Sequence, residues 1–300
     1  MITIVSTWVN HPEVLLIHRA MWTKAFSGEP VTYIVYIDAK EYPDPSNFGD
    51  VTMKQQLIQV CVENSIEYII VPQEYHLQRG KVFSLCTVQS DITPSASDAL
   101  VCQYMWNQQV LEKGVNKFLI VQTDLFPYRT FTWDSITRGA EFCYRPQQRT
   151  DGITLHYAWN GLCFFDMRRW PDAKKQIVNF DYGFHKGVFA DAGAGTCYIL
   201  DHLDPEQKFE FEELNSNRWS SKDAPINLPD WITEHINTDV RNKISEDGTI
   251  LYYSEIFDNT FFHLRAGCNW DNVGKDLHDT RYSRFISLIL HAMNNKTVFI

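Results

Sequence analysis

Asp124 is the residue of this sequence best placed to do chemistry. It lies in VQTDLFPYR, directly after the apolar run Phe118-Leu119-Ile120-Val121. A carboxylate leaving a buried strand at the ligand-binding edge of a sheet suits Mg2+ or Mn2+, hard cations that take a few carboxylate oxygens and complete their shell with phosphates. Asp ahead of Leu-Phe-Pro also suits a turn. In Trp159-Asn160-Gly161 the Asn amide offers a donor and an acceptor to hydroxyl groups, and Gly lets a ligand approach the backbone. Asn-Gly before an apolar run equally reads as a hairpin turn. Asp191 stands beside the Gly-rich turn Ala192-Gly193-Ala194-Gly195, where a carboxylate can meet an acceptor. That turn lacks GxGxxG and GxxxxGK[ST], so it is not read as a phosphate loop. Late in the chain, Phe261-Phe262-His263-Leu264-Arg265 supplies an imidazole and a guanidinium, and the guanidinium fork matches phosphate oxygens. A His among aromatics equally serves structure alone.

The elements that must position these groups follow from spacing. Ile2–Thr7, Val31–Asp38, Glu67–Pro72 and Lys117–Asp124 are β-branched, apolar runs. Between them Glu13–Phe26, Met53–Ser65 and Ser95–Gly114 carry apolar residues near a 3.6 period, with Gly28, Pro30 and Gly114 as stops. Alternation of this kind predicts an α/β fold: a mostly parallel central sheet with helices on both faces. Ligands then bind beyond the carboxyl ends of the strands, which directs attention to Thr7-Trp8, Asp38, Gln73-Glu74 and Gln122–Asp124. The second half is aromatic-rich and less regular, and 215–229 reads as a loop. With no repeat and no clear linker, residues 1–300 are read as one domain, 1–130 binding nucleotide and 131–300 binding acceptor.

Composition bounds the function. The chain has 300 residues, 44% hydrophobic and 21% charged, with a net charge of −10. Acidity without a basic stripe argues against nucleic acid, whose phosphates need clustered Lys and Arg. Seven dispersed cysteines without CxxC read as reduced, buried thiols in a cytoplasmic protein. MITIVSTWVNHPEV reads as a first strand and not as a signal peptide. No apolar stretch approaches the ~20 residues that span a bilayer.

Taken together, these motifs resemble the GT-A glycosyltransferases. Gln122-Thr123-Asp124 followed by Leu-Phe-Pro is similar to their DxD signature, with Gln122 in place of the first Asp. The resemblance implies a Rossmann-like GT-A sheet and transfer of a sugar from a nucleotide-sugar donor to a glycan or other hydroxyl acceptor. Asp124 would hold Mn2+ or Mg2+ at the donor diphosphate, although loss of the first Asp leaves metal-independent transfer open. Asp38, Thr7 and Trp8 would line the nucleoside, with Trp8 able to stack on a base. Trp159-Asn160-Gly161 resembles the segment lining the acceptor site, and Asp191 would be the general base of an inverting enzyme. His263-x-x-x-Gly267-x-x-Trp270 looks like the late motif of glycogenin-like members, with a spacing one residue different. His263 would then be a metal ligand, and Arg265 or Lys275 the diphosphate contact. A catalytically inactive glycan- or nucleotide-binding module of the same fold is the alternative. A methyltransferase would want a Gly-rich loop after the first strand, and Ser6–Asn10 contains no glycine.

Overall fold

The apolar runs and helical periods fold into an alternating chain. The computed structural model describes residues 1–39, 51–72, 94–170, 178–213, 227–265 and 275–299; the side chains of residues 94–96 and of Lys275 lie outside that description. Its early elements are β1 (Ile2–Trp8), α1 (Pro12–Ala25), β2 (Val31–Ile37), α2 (Val51–Glu63), β3 (Glu67–Ile70), α3 (Pro94–Trp106) and β4 (Lys117–Val121). Then come β5 (Leu125–Pro127), α4 (Trp133–Thr137), β6 (Phe142–Asp151), β7 (Ile153–Asp166), β8 (Gly183–His185), β9 (Val188–Ala190), α5 (Cys197–His202) and β10 (Lys208–Glu210). The last are α6 (Asp230–Thr238), β11 (Lys243–Ile244), β12 (Ile250–Leu251), β13 (Glu255–Phe257), β14 (Phe261–His263) and α7 (Lys275–Asn294). Gln73, Glu74, Gly267, Trp270 and residues 215–226 of the expected loop lie outside the described residues.

The chain divides into two compact units. The first comprises Met1–Pro12, Glu29–Gln122 and Trp133–Phe211; the second comprises Glu13–Gly28, Thr123–Thr132 and Glu212–Ile300.

In the first unit a seven-stranded sheet runs β10-β6-β7-β4-β1-β2-β3. β3, β2, β1 and β4 are mutually parallel, as the βαβ alternation requires. β7 lies antiparallel between β4 and β6, and β10 is parallel to β6. Successive residues such as Ile4, Val5, Phe118 and Leu119 are all fully buried, the pattern of strands covered on both faces. Aromatic side chains fill the core: Phe142 stacks on Phe165 at 4.5 Å, and Trp106 meets the same ring edge-on at 4.9 Å. The helix expected through Gly114 stops at Trp106 and continues as a wider turn over Asn107–Glu112.

The strand expected to run to Asp124 ends at Val121. Gln122 still donates its N–H to Gly161 O at 3.0 Å, and Leu125 then begins pairing with a different sheet. Asp124 therefore stands in the turn between two strands.

In the second unit β13, β14 and β5 form an antiparallel sheet, and β11 pairs with β12. Trp22 of α1 stacks on Phe261 at 5.5 Å and donates its indole N–H to Leu125 O at 2.9 Å, so the indole is both packed and satisfied. Phe285 and Ile289 of α7 are fully buried, which makes the last apolar stretch core packing. Among the described residues no helix is long and apolar enough to cross a membrane.

Candidate functional site

In the second unit a hairpin builds a buried ionic cluster. Asp258 and Asn259 both have positive φ, 50° and 46°, and with Thr260, whose N–H bonds to Phe257 O at 2.9 Å, they make the loop of the hairpin. Counting outward from that turn, Phe257 pairs with Phe261, Ile256 with Phe262 and Glu255 with His263. On its other edge β14 pairs His263 with Leu125, and Leu264 N–H bonds to Asp124 O at 2.8 Å. Two registers thus bring His263 between two carboxylates. Its Nδ1 lies 2.6 Å from Glu255 Oε2, and its Nε2 lies 3.5 Å from Asp124 Oδ1. Arg265 Nη1 stands 3.7 Å from the other oxygen of Glu255.

Electrostatics of this cluster are strong because it is buried. Asp124 is 5% exposed and His263 7%. Burial pulls the imidazole down, but the charge and hydrogen bond of Asp124, with those of Glu255, push it up to about 9. A carboxylate behind the imidazole fixes the ring and raises its basicity, the arrangement found behind metal-ligating histidines. Asp124 offers one oxygen donor, and His263 would offer one nitrogen donor once a cation displaces its Nε2 proton. Among the described residues no three His, Cys, Asp or Glu side chains are grouped to hold a metal. The pair fits a cation whose remaining ligands are water and phosphate oxygens.

A second polar cluster lies in the first unit, beyond the carboxyl ends of β2 and β4. Asp98, on the first turns of α3, is its centre. Its Oδ2 accepts from Asn160 Nδ2 at 2.8 Å and from Gln122 Nε2 at 3.1 Å. Neighbouring Ser97 donates to Asp38 at 2.7 Å, and Asp38 N–H bonds to Trp8 O at 2.8 Å. The Gln in the DxD-like position now has a physical reason. An amide at 122 donates to Asp98, whereas a carboxylate there would repel it.

Burial pushes the Asp98 carboxyl up to about 6; the charges of Asp191 and Asp38 add to this, and the bonds from Asn160 and Gln122 oppose it. A carboxyl poised near neutrality beside others can hold or release a proton. Because its folded value is raised, the proton-bound form favours the fold. That contribution is full below the unfolded value near 4 and is lost as pH rises through about 6. Asp98→Asn should therefore melt like the parent protein below pH 4 and be more stable at pH 7.5, by on the order of 2 kcal/mol. Thermal melts across that range test it, and parallel curves for the two proteins would refute the assignment.

Asp191 is half exposed. It accepts from Ala192 N–H at 2.9 Å, and Arg149 lies 3.9 Å from its carboxylate. The turn after it is held tightly against β7: Gly193 has φ +93°, and a Cβ there would sit 2.3 Å from Ala158 O. Thr196 Oγ1 donates to Gly193 O and accepts from Ala158 N–H, at 2.7 and 2.8 Å. Trp159 folds over Gly161, where a Cβ would meet its ring at 2.3 Å, and the same ring lies 5.7 Å from the Arg145 guanidinium.

Of the residues singled out by sequence, Asp38, Gln122, Asn160 and Asp191 gather around Asp98 in the first unit, and Asp124, His263 and Arg265 gather in the second. Thr7 directs its hydroxyl to Met105 Sδ at 3.8 Å. Trp8 is fully buried in the core, with no open ring face. Lys275 opens α7, and its side chain lies outside the described residues. Sequence reading passed over Asp98 and Glu255. Glu255 had only a partial signal: Asp258-Asn259 marks a hairpin, but Thr260 as a third loop residue moves the cross-strand partner of Glu255 from Phe262 to His263. Asp98 had none beyond a carboxylate on the third helix, because its partners come from distant strands.

No family model and no curated protein matches this chain. Solved structures give remote likenesses. The chain is similar to the mannosyltransferase Ktr4p from S. cerevisiae at 8% identity and a TM-score of 0.34, over 55% of this chain and 56% of that one. It is similar to the galactosyltransferase LgtC, in complex with donor and acceptor sugar analogs, at 12% identity and 0.34, over 56% and 59%. A third is core-mannan synthase A from Aspergillus fumigatus in an Mn/GDP form, at 11% identity and 0.34, over 55% and 59%. The matched region spans little more than half the length of these proteins.

Proposed function

We propose that this chain is a GT-A-type glycosyltransferase, moving a sugar from a nucleoside-diphosphate donor to a hydroxyl of a glycan or other acceptor. The observation that carries the reading is the buried pairing of Asp124 with His263. Two separate motifs single these residues out, and they meet at 3.5 Å with Glu255 behind the imidazole.

In this reading Asp124 and His263 hold Mn2+ or Mg2+ against the donor diphosphate, and Arg265 and Lys275 add positive charge to the same anion. A divalent cation there supplies electrostatic stabilisation of the departing diphosphate. Asp38 and Thr7 serve the nucleoside, and Gln122 serves the donor by fixing Asp98. Trp159, Asn160 and Gly161 serve the acceptor. If transfer inverts configuration, the half-exposed Asp191 takes the proton from the attacking hydroxyl, which needs hydrogen-bond reach to that oxygen. The buried free thiols Cys61, Cys102, Cys143, Cys163 and Cys197 suit a reducing compartment, and we place the protein in the cytoplasm.

A second reading, a catalytically inactive binding module, is favoured by one observation: the Gln122 amide is committed to Asp98. Titration calorimetry with UDP-, GDP- and dTDP-sugars, with Mn2+ or with EDTA, followed by a transfer and hydrolysis assay, separates the two. Transfer is expected with one donor class. Binding without turnover selects the module, and no binding of any nucleotide sugar overturns both the transferase and the nucleotide-binding form of the module.

A further inference from the structure

Three guanidinium groups of the second unit converge on one phenol ring. Arg241 lies 3.8 Å from the centre of the Tyr253 ring, Arg265 5.2 Å and Arg281 5.3 Å. Local chemistry holds them there. Asp239 ends α6 and accepts from Arg241 N–H at 3.1 Å, and Asn242 N–H bonds to Asp239 O at 3.0 Å, which fixes the turn carrying Arg241. Asn242 Oδ1 accepts from Tyr253 N–H at 3.0 Å and ties that turn to the ring. Arg281 is spent on structure: its Nε lies 2.8 and 2.9 Å from the two oxygens of Asp239, and its Nη1 donates to Arg265 O at 2.9 Å.

The other two arginines are not matched in this way. Arg241 makes no ion pair among the described residues, and Arg265 has only the 3.7 Å contact with Glu255 while its side chain is 41% exposed. Asp239 neutralises Arg281, which leaves Arg241 and Arg265 as the positive charge in excess around the ring, and the quadrupole of a phenol face offsets only part of their repulsion. Burial holds Arg241 below the usual arginine range; Tyr253 and Asp239 push it back up, and Arg281 and Arg265 push it further down. Both residues are partly exposed, and a guanidinium matches the oxygens of a phosphoryl group in charge and geometry.

We propose that Arg241 and Arg265, set on the Tyr253 ring and braced by Arg281, form a metal-independent binding site for a phosphoryl anion. Arg265 is shared with the transfer reading; Arg241 and Tyr253 are not, and the site stands if no sugar is transferred. The phosphoryl group could belong to a nucleotide or be carried separately, and the probes below distinguish these sources.

Calorimetric titration of the whole chain in EDTA with inorganic phosphate, pyrophosphate and GDP or UDP tests the site. Phosphate or pyrophosphate should bind the parent protein, and Arg241→Met should weaken binding at least tenfold. Arg284→Met, on α7 and facing Glu234, should leave it unchanged. Where Arg241→Met does not fold, Arg241→Lys keeps the charge but loses the fork and should still weaken binding severalfold. Tighter binding of the nucleoside diphosphates than of pyrophosphate assigns the anion to a nucleotide; equal binding assigns it to a separate phosphate, and either result keeps the site. Failure of both phosphate and pyrophosphate to bind the parent, or undiminished affinity in the Arg241 variants, overturns it.

Discussion

Asp124→Ala is expected to abolish sugar transfer, lowering kcat by on the order of a thousandfold or more while the protein stays folded. The size follows from what the carboxylate is proposed to do. Departure of a nucleoside diphosphate places the largest charge of the reaction at this position, and preorganised electrostatic groups at developing charge are worth about this much. Losing the ion pair to buried His263 should lower stability, but the fold should survive because the strand register around Asp124 is made by backbone. Leu264 N–H bonds to Asp124 O, and the β5–β14 register is made by Leu125, Phe126 and Pro127. Asp124→Asn keeps the volume and removes the charge, so it should fail in the same way. The measurement is turnover of the donor identified by titration, alongside Mn2+ affinity and far-ultraviolet circular dichroism. Turnover like that of the parent in either variant sinks the proposed role of Asp124.

Arg281→Leu should cost about 3–5 kcal/mol of stability, the usual result of stripping one partner from a buried ion pair. Asp239 would be left behind with its side chain fully buried and without its guanidinium partner, held only by His235, Ser254 and the Arg241 N–H. Burial alone would raise the Asp239 carboxyl. The hydrogen bonds from His235 and Arg281 and the charge of Arg281 outweigh it and hold the group well below the usual carboxylate range. The sign of the pH dependence follows. A depressed folded value adds stability that is complete above the unfolded value near 4 and is lost as pH falls below it. The gap between Arg281→Leu and the parent protein, read by urea denaturation, should therefore be widest at neutral pH and shrink below pH 4. Replacing both residues by apolar side chains, as in Asp239→Leu with Arg281→Leu, should recover most of the loss. Equal stability of the single variant and the parent at pH 7 would show that the pair is not holding the second unit together.

His263 and Asp98 mark how far sequence reading reaches into the site. His263 belongs to a motif, so its residue type and neighbours drew attention to it, yet its pairing with Asp124 depends on two strand registers. Asp258-Asn259 marks a hairpin turn, but the extra loop residue Thr260 shifts every cross-strand pair by one, so even the inner register was not countable from the turn alone. The outer one, β14 against β5, joins distant segments and leaves no local trace. Asp98 is harder still. A carboxylate on the first turns of a helix looks like a helix-start residue, and only the arrival of Gln122 from β4 and Asn160 from β7 makes it the centre of a cluster.

By itself the sequence determined the parallel half of the sheet, because each strand is a continuous apolar run and each crossover helix is written in a period near 3.6 within a dozen residues. It also marked which residue types stand at strand ends. Tertiary structure alone decided that β7 enters antiparallel beside β4, that Gln122 and Asp124 serve different units, and that three arginines share one tyrosine. Those choices rest on contacts between segments far apart in the chain, where periodicity carries no information and the balance of burial and charge settles the partner.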